Sequence, residues 1–154
     1  MKESYQKGNK DIKPSIRSYS AVLNACAYTA TTSQQTTISN KDKATTFKIA
    51  RRCFKEILSG HHGQPNSMSF SQFILSCLTL VGPGTKRDQL IASVFEECCK
   101  QGLVDIKIVL EIRRSSPVLR KQLLERGGGA NLVGGVIKME DIPMEWRRNV
   151  HLNR

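Results

Sequence analysis

The sequence lacks several features that define common classes of protein. It contains no apolar run near the about 20 residues that a membrane-spanning helix needs, so we expect no membrane partner. None of its five cysteines stands in a Cys-x-x-Cys pair, which argues against a zinc site or a disulfide framework and favours a reducing compartment. Aromatic residues make up only 6% of the chain, so the predicted core is aliphatic and modest.

The chain also lacks a recognisable set of catalytic residues. His61 and His62 are neighbours in a predicted loop, where adjacent side chains point apart, so they are not expected to form a metal pair. The glycines at 127–129 are not followed by Gly-Lys-Ser/Thr and follow no predicted strand, which excludes a phosphate loop. Since no nucleophile stands beside a base either, we expect no enzyme activity, no metal and no cofactor.

Acidic residues are scarce relative to basic ones. Lys and Arg number 24 against 13 Asp and Glu, which gives a net charge of +11 and a pI near 9.7. Such an excess favours a polyanionic partner, chiefly nucleic acid, although a basic protein without such a partner remains the alternative. One set of cations shares a helix face at i, i+3, i+4 and i+7, and its members are either phosphate contacts or a solvated face: Lys48, Arg51, Arg52 and Lys55.

What the chain does contain is a repeated pattern. The segment Ser18–Cys26 matches Ser69–Cys77, 51 residues later, in aromatic, apolar and cysteine positions. Each copy follows a proline, Pro14 or Pro65, and each is followed by a second helical pattern. Helix pairs repeated in a fixed order are typical of an α-solenoid, whose function is recognition by an open surface.

Apolar spacing of three and four residues predicts six helices in an all-α fold. Their expected ranges are 15–28, 42–59, 66–80, 86–101, 103–114 and 117–126. The predicted organisation is a polar lead-in (1–14), a solenoid (15–126) and a Gly-rich linker with a mostly irregular tail (127–154). Within the solenoid we expect repeats at 16–66 and 67–101 and capping helices at 103–126. Trp146 is expected to anchor the tail onto the last helix.

These residues resemble the pentatricopeptide repeat family over about residues 14–105, two-thirds of the chain. The resemblance depends on the order of aromatic, aliphatic, alanine and phenylalanine positions and on a Gly-x-Pro-Asn closure. The first unit carries Tyr19, Val22, Leu23, Ala50, Phe54 and Gly63 to Asn66; the second carries Phe70, Phe73, Ile74, Phe95 and Gly102. The first unit is longer than the family pattern because of a polar insertion at 29–43, and the second lacks the Pro-Asn closure. The segment from Pro143 to Val150 resembles a closing motif of short algal members.

The resemblance implies binding of single-stranded RNA, about one base per repeat. It implies that Ser20 and Asn66 form a base-reading pair of the type that favours adenine, whose edge an Asn amide can bond bidentately. Ser71 would be the reader of the second repeat, with no clear closing partner. Arg17 and Met68 would sandwich a base. The alternative is structural: Asn66 would only cap the third helix, and the two serines would be exposed polar residues near helix starts.

By resemblance we expect a role in organellar RNA processing, stability or translation, in a mitochondrion or plastid. The first residues contain Glu3 and Asp11 and no clear targeting segment, so a cytoplasmic or nuclear protein, or a fragment of a longer array, stays open. The alternative function is a solenoid scaffold that binds a protein but no RNA. No capping helix is predicted before Tyr19, and the apolar edge expected there would serve a protein partner or self-association.

Overall fold

A computed structural model describes residues 14–29, 38–128 and 130–150, which contain α-helices and no β-strand, so the all-α class is confirmed. Most of the predicted lead-in lies outside the described residues. The main helices are α1 (Ile16–Thr29), α2 (Asn40–Leu58), α3 (Ser67–Leu80), α4 (Thr85–Gln101), α5 (Ile106–Arg113) and α6 (Pro117–Leu124). Short helices α7 (Ala130–Val133) and α8 (Met144–Arg147) follow, with 3₁₀ turns at Glu125–Gly127 and Met139–Asp141. No helix in the described part of the chain combines the length and apolar character needed to span a membrane.

Side-chain caps mark where five of the six main helices begin, whereas α4 follows Gly84, which has no side chain. Ser39 Oγ accepts a hydrogen bond from the Asp42 backbone N–H at 3.1 Å, and Ser116 Oγ accepts one from Leu119 at 3.2 Å. Such caps satisfy backbone donors that have no partner within the helix, so they set the first residue. Gly102 ends α4 in the left-handed conformation (φ 67°), which is typical of a helix C-terminus.

Helix α3 lies at the centre of the molecule and contacts α1, α2, α4 and α5. Its residues from Ser69 to Cys77 are all buried. Aromatic packing joins it to α2: the Phe54 ring stacks on Phe73 at 4.2 Å and meets Phe70 edge-on at 5.3 Å. A single cluster of buried residues extends from Tyr19 to Trp146, so the described residues share one hydrophobic core.

The segment after Gly127 is more ordered than the sequence suggested. Leu132 and Ile142 are buried in the shared core, and Trp146 meets Phe95 of α4 edge-on at 5.4 Å. The Val104 backbone N–H donates to the Trp146 carbonyl oxygen at 2.8 Å, and that of Asn149 donates to Gly102 at 2.8 Å. Trp146 is therefore an anchor, as expected, but it holds the tail to α4 and not to the last main helix.

The fifth helix begins later than predicted. The periodicity placed its start at Leu103, whereas α5 begins at Ile106. Asp105 caps it, because its Oδ1 accepts the Ile108 backbone N–H at 2.9 Å. Leu103 and Val104 are buried in an extended stretch, where Val104 bonds to the tail. Their apolar character reflects burial in the α4–α5 connection and not a turn of helix.

Candidate nucleic-acid interface

The starts of α1, α3 and α5 share one local arrangement. Each helix follows a capping residue: Ser15 Oγ accepts the Ser18 backbone N–H at 3.4 Å, and Asn66 and Asp105 cap α3 and α5 in the same way. The second residue of each helix forms what we call the helix-start row: Arg17, Met68 and Lys107. Helix α3 contacts both α1 and α5. The Ile16 backbone N–H donates to the His62 carbonyl oxygen at 3.1 Å, which holds the start of α1 to the loop before α3. The Ser67 hydroxyl donates to the Leu103 carbonyl oxygen at 2.8 Å, which holds the start of α3 to the α4–α5 connection.

Two members of the helix-start row are in direct contact. Lys107 Nζ lies 3.7 Å from Met68 Sδ, so the ammonium group of α5 adjoins the thioether of α3. Met68 is 47% exposed although it is large and apolar, and Arg17 is exposed on α1. The row thus places a planar cation, an apolar side chain and an ammonium group where solvent can reach them. These are the group types that contact bases and phosphates in single-stranded RNA complexes.

Asn66 has the structural role that the sequence left open. Its Oδ1 accepts both the backbone N–H and the hydroxyl of Ser69, each at 3.0 Å. The cap uses the amide oxygen, whereas the amide nitrogen carries the two donors that could recognise a base. The capping role therefore leaves the donor side of the group chemically available for the predicted base contact.

The two predicted serine readers lie in different environments. Ser20 is partly exposed on α1, four residues after Ile16. Ser71 is only 1% exposed, and among the described residues its hydroxyl has no hydrogen-bond partner. The helices around α3 enclose it, so a base could not contact Ser71 in this arrangement. The expectation that Ser71 is an exposed reader is wrong for this structure.

Sequence reasoning missed Asp105 and Lys107. Asp105 precedes α5 as Asn66 precedes α3, and both cap through a side-chain oxygen. Asp105 therefore stands just after the predicted second repeat, at a position for which the sequence alone indicated no closing residue. An aspartate three residues before Ile108 was the available signal, but it was hidden because the predicted helix already included Leu103 and Val104.

The exposed face of α1 continues the row away from the helix start. Asn24 and Tyr28 follow Arg17 at i+7 and i+11, which places all three on one side of the helix. Asn24 is exposed and joins α1 to α3, because its Oδ1 accepts Gln72 Nε2 at 3.0 Å. Arg114, which directly follows α5, pairs with Glu111 of that helix at 3.0 Å, so its charge is partly neutralised within the protein.

The predicted phosphate contacts on α2 form a separate surface. Four cations are exposed on the outer side of α2, opposite the buried stripe that includes Ala50, Cys53 and Ile57: Lys48, Arg51, Arg52 and Lys55. Among the described residues, no hydrogen bond or ion pair connects them to the helix-start row. Lys48 and Arg51 instead border a groove against α4. The groove is also lined by Leu80 at the C-terminal end of α3, which lies about 18 Å along that helix from Met68, so the structure separates Lys48 and Arg51 from the predicted base contact at Met68.

His62 holds the loop after α2 in place. Its Nδ1 lies 3.0 Å from the Pro14 carbonyl oxygen, and its Nε2 lies 3.5 Å from Glu56 Oε2. Its ring also packs on Tyr19 at 4.8 Å. These contacts tie the loop to the start of α1. Within the described ranges, no three His, Cys, Asp or Glu side chains come together in a way that could hold a metal ion.

Cys26, Cys53, Cys77 and Cys98 are buried thiols, and Cys99 is partly buried. All five are free, and burial raises the pKa of Cys77 and of Cys99 to about 12 each. Burial also raises the pKa of Cys98 well above its usual value of 9.0. Because the thiolate is the reactive form, these side chains are protonated and inert at neutral pH.

The helix-start row and the α2 cations are therefore the two candidate binding surfaces for a nucleic acid. Comparison of the chain with protein-family models, with curated proteins and with solved structures returned no significant match.

Proposed function

We propose that this chain is a short pentatricopeptide-type α-solenoid that binds single-stranded RNA along the helix-start row. The order of contacts supports the proposal: α1, α3 and α5 adjoin in sequence, and each is followed by a partner helix, α2, α4 or α6. That order is what stacking of helix pairs requires. The single observation that carries the proposal is the recurrence of a side-chain cap and a solvent-accessible second residue at the starts of α1, α3 and α5, where Arg17 and Met68 are exposed and Lys107 is partly exposed.

Each member of the row has a suitable task in RNA binding. The Arg17 guanidinium plane stacks on a base, and Met68 packs against a neighbouring base face. Lys107 lies beside Met68 and neutralises the phosphate that connects the two bases. The donors of the Asn66 amide bond the edge of a base, for which adenine offers a bidentate match.

The extent of the row limits its specificity. Three helix starts contact at most about three bases, and each stacked base contributes about 1–3 kcal/mol. That total is too small to select one transcript, so the chain acts with partner proteins or as part of a longer array. By resemblance, the process is the processing, stabilisation or translation of organellar RNA.

The direct test is a titration of fluorescein-labelled 15-nucleotide RNAs, A-rich, U-rich or mixed, at several salt concentrations. We expect binding that weakens as salt rises, because phosphate contacts release counterions. Asn66→Asp retains the cap, since both residues cap equally well, and should shift preference from adenine towards guanine. Met68→Ser should weaken binding to all three RNAs, whereas Lys121→Ala, which removes an exposed charge on α6, should change little. Absence of binding even at low salt would refute the proposal.

A further inference from the structure

A solvent-open groove lies between α2 and α4, on a surface that the proposed RNA contacts do not use. Its volume is about 580 Å³. Its floor is apolar and consists of Phe47, Leu80, Val81 and Leu90. Phe47 is held in place by stacking on Phe73, with ring centroids 6.0 Å apart. This contact fixes the Phe47 side of the groove floor against α3.

The rim of this α2–α4 groove is positively charged. Lys48 and Arg51 line it from α2, and Lys86 lines it from the first turn of α4. Among the described residues that line it, none is acidic. A second cavity of about 430 Å³ shares Leu80 and Val81 with the groove, so the two adjoin. This second cavity adds two further cations, Lys43 and Arg87.

We propose that the α2–α4 groove docks an acidic amphipathic helix of a partner protein. An amphipathic helix binds by placing an apolar face in a groove while its polar residues meet the rim. Here the apolar floor would receive the apolar face, and the row of rim cations would pair with carboxylates on either side. Complementary charge of this kind steers association and selects the partner. The docking surface is independent of the helix-start row, which is built from α1, α3 and α5.

The chemistry of the floor favours a protein over a nucleic acid. Single-stranded nucleic acid binds by stacking its bases on aromatic side chains. Phe47 is the one aromatic residue among the described residues of the lining, and its ring already stacks on Phe73. The other floor residues are aliphatic, and they match leucine or isoleucine side chains better than base faces.

The groove can be tested with a defined probe and a matched pair of variants. The probe is a fluorescein-labelled 16-residue peptide with leucines at helical spacing and glutamates at most other positions. A second peptide of equal charge carries serine in place of each leucine. The test variant K48E/R51E reverses two rim charges. The control variant R52E/K55E reverses two exposed charges on the same helix that do not line the groove, so both variants have the same net charge.

We expect K48E/R51E to weaken binding of the leucine peptide at least tenfold, R52E/K55E to change it less than twofold, and the serine peptide to bind at least tenfold more weakly. If the two variants lost equal affinity, or if the two peptides bound equally well, the binding would depend only on the net charge of the protein, and the proposal would be wrong. A 15-nucleotide RNA that displaces the leucine peptide and also loses affinity in K48E/R51E would assign the groove to RNA instead.

Amide NMR shifts of the unmodified protein test where the peptide binds without any variant. The shifts that the leucine peptide induces should cluster at residues 43–51 and 80–93, and clustering elsewhere would refute binding in the groove.

Discussion

At the scale of single residues, Asn66 combines a structural role with the proposed recognition role. Its oxygen caps α3 through two bonds to Ser69, while its amide nitrogen supplies the donors that a base would accept. Substitutions can separate the two roles because aspartate keeps the capping oxygen and lacks the amide donors. An effect common to Asn66→Ala and Asn66→Asp therefore concerns recognition, and an effect confined to alanine concerns folding.

We expect Asn66→Ala to lower the free energy of unfolding by about 1 kcal/mol, the usual cost of losing an N-cap. Asn66→Asp should leave it within about 0.5 kcal/mol of the parent, since aspartate caps equally well. Urea denaturation followed by circular dichroism at 222 nm measures both. A loss of equal size in the two variants would contradict the capping interpretation.

The buried thiol of Cys77 makes stability depend on alkaline pH. Its pKa is about 12 in the folded chain and near the usual 9.0 in the unfolded chain, so the unfolded state loses this proton first as pH rises. The thiol's contribution to stability is therefore complete below pH 9 and is lost progressively between about pH 9 and 12.

Between pH 9 and 10.5, under reducing conditions, the Cys77 thiol should lower the free energy of unfolding by up to about 1.4 kcal/mol per pH unit. Cys77→Ala removes this dependence, although the cavity that it creates lowers stability by an amount independent of pH. The comparison is the slope of unfolding free energy against pH, from urea titrations of the parent and the variant. Parallel slopes would show that Cys77 ionises equally in both states.

At the scale of elements, the sequence predicted the four long helices and α6 within two residues at each end, and it predicted the start of α5 less well. The bounds of α1 to α4 agree with the periodicity within two residues, because Pro14, Pro65 and Gly102 mark helix boundaries and the apolar stripes are long. The predicted start of α5 was too early because Leu103 and Val104 are apolar on account of their burial in the α4–α5 connection, and not because they belong to a helix. Helix α7 has four residues, which is too short for a periodic signal, whereas α8 lies within the short helical turn that the sequence predicts at 143–148.

The site was less predictable than the fold because it depends on how the elements pack. The cap formed by Asn66 follows from the local sequence. The exposure of Met68 does not, because the apolar spacing predicts this residue on the inward face of α3, whereas it is 47% exposed. The burial of Ser71 does not follow from the local sequence either, because it results from the helices that surround α3. The separation of Lys48 and Arg51 from the helix-start row likewise depends on the packing of α2 against α3.

In addition to the backbone hydrogen bonds of Val104 and Asn149, an aromatic contact holds the tail to α4, and its contribution to stability can be measured. Trp146 is 9% exposed, and its ring packs on Phe95 and against Gly127, where an added Cβ would lie 3.1 Å from it. Trp146→Ala should lower the free energy of unfolding by about 3 kcal/mol, a value typical of removing a buried large aromatic side chain.

The matched control is Met144→Ala, in the same short helix, where the side chain is 65% exposed and should contribute less than about 0.5 kcal/mol. Urea denaturation of both variants under one set of conditions gives the comparison. If Trp146→Ala were no more harmful than Met144→Ala, the tail would contribute little to the core.

At the scale of the whole molecule, a net charge of +11 attracts any polyanion, so affinity for RNA alone does not identify a binding surface. The distribution of the charge is more informative. Cations lie on the helix-start row, along the α2–α4 groove and on the outer side of α2. Each surface can be altered by two charge reversals, so variants of identical net charge can be compared.

R17E/K107E reverses two charges on the helix-start row, and R52E/K55E reverses two on the outer side of α2. If RNA lies along the row, R17E/K107E should bind single-stranded RNA at least tenfold more weakly. The slope of log affinity against log salt should also become shallower by about 0.7, the value for the one phosphate contact that is lost with Lys107, because Arg17 stacks on a base. R52E/K55E should keep the slope of the parent protein, because Arg52 and Lys55 would attract the RNA only from a distance and would form no phosphate contact that releases counterions. Fluorescence anisotropy titrations between 50 and 300 mM salt measure both quantities. Equal slopes in the two variants would mean that RNA responds to the total charge of the protein and that the helix-start row has no special role.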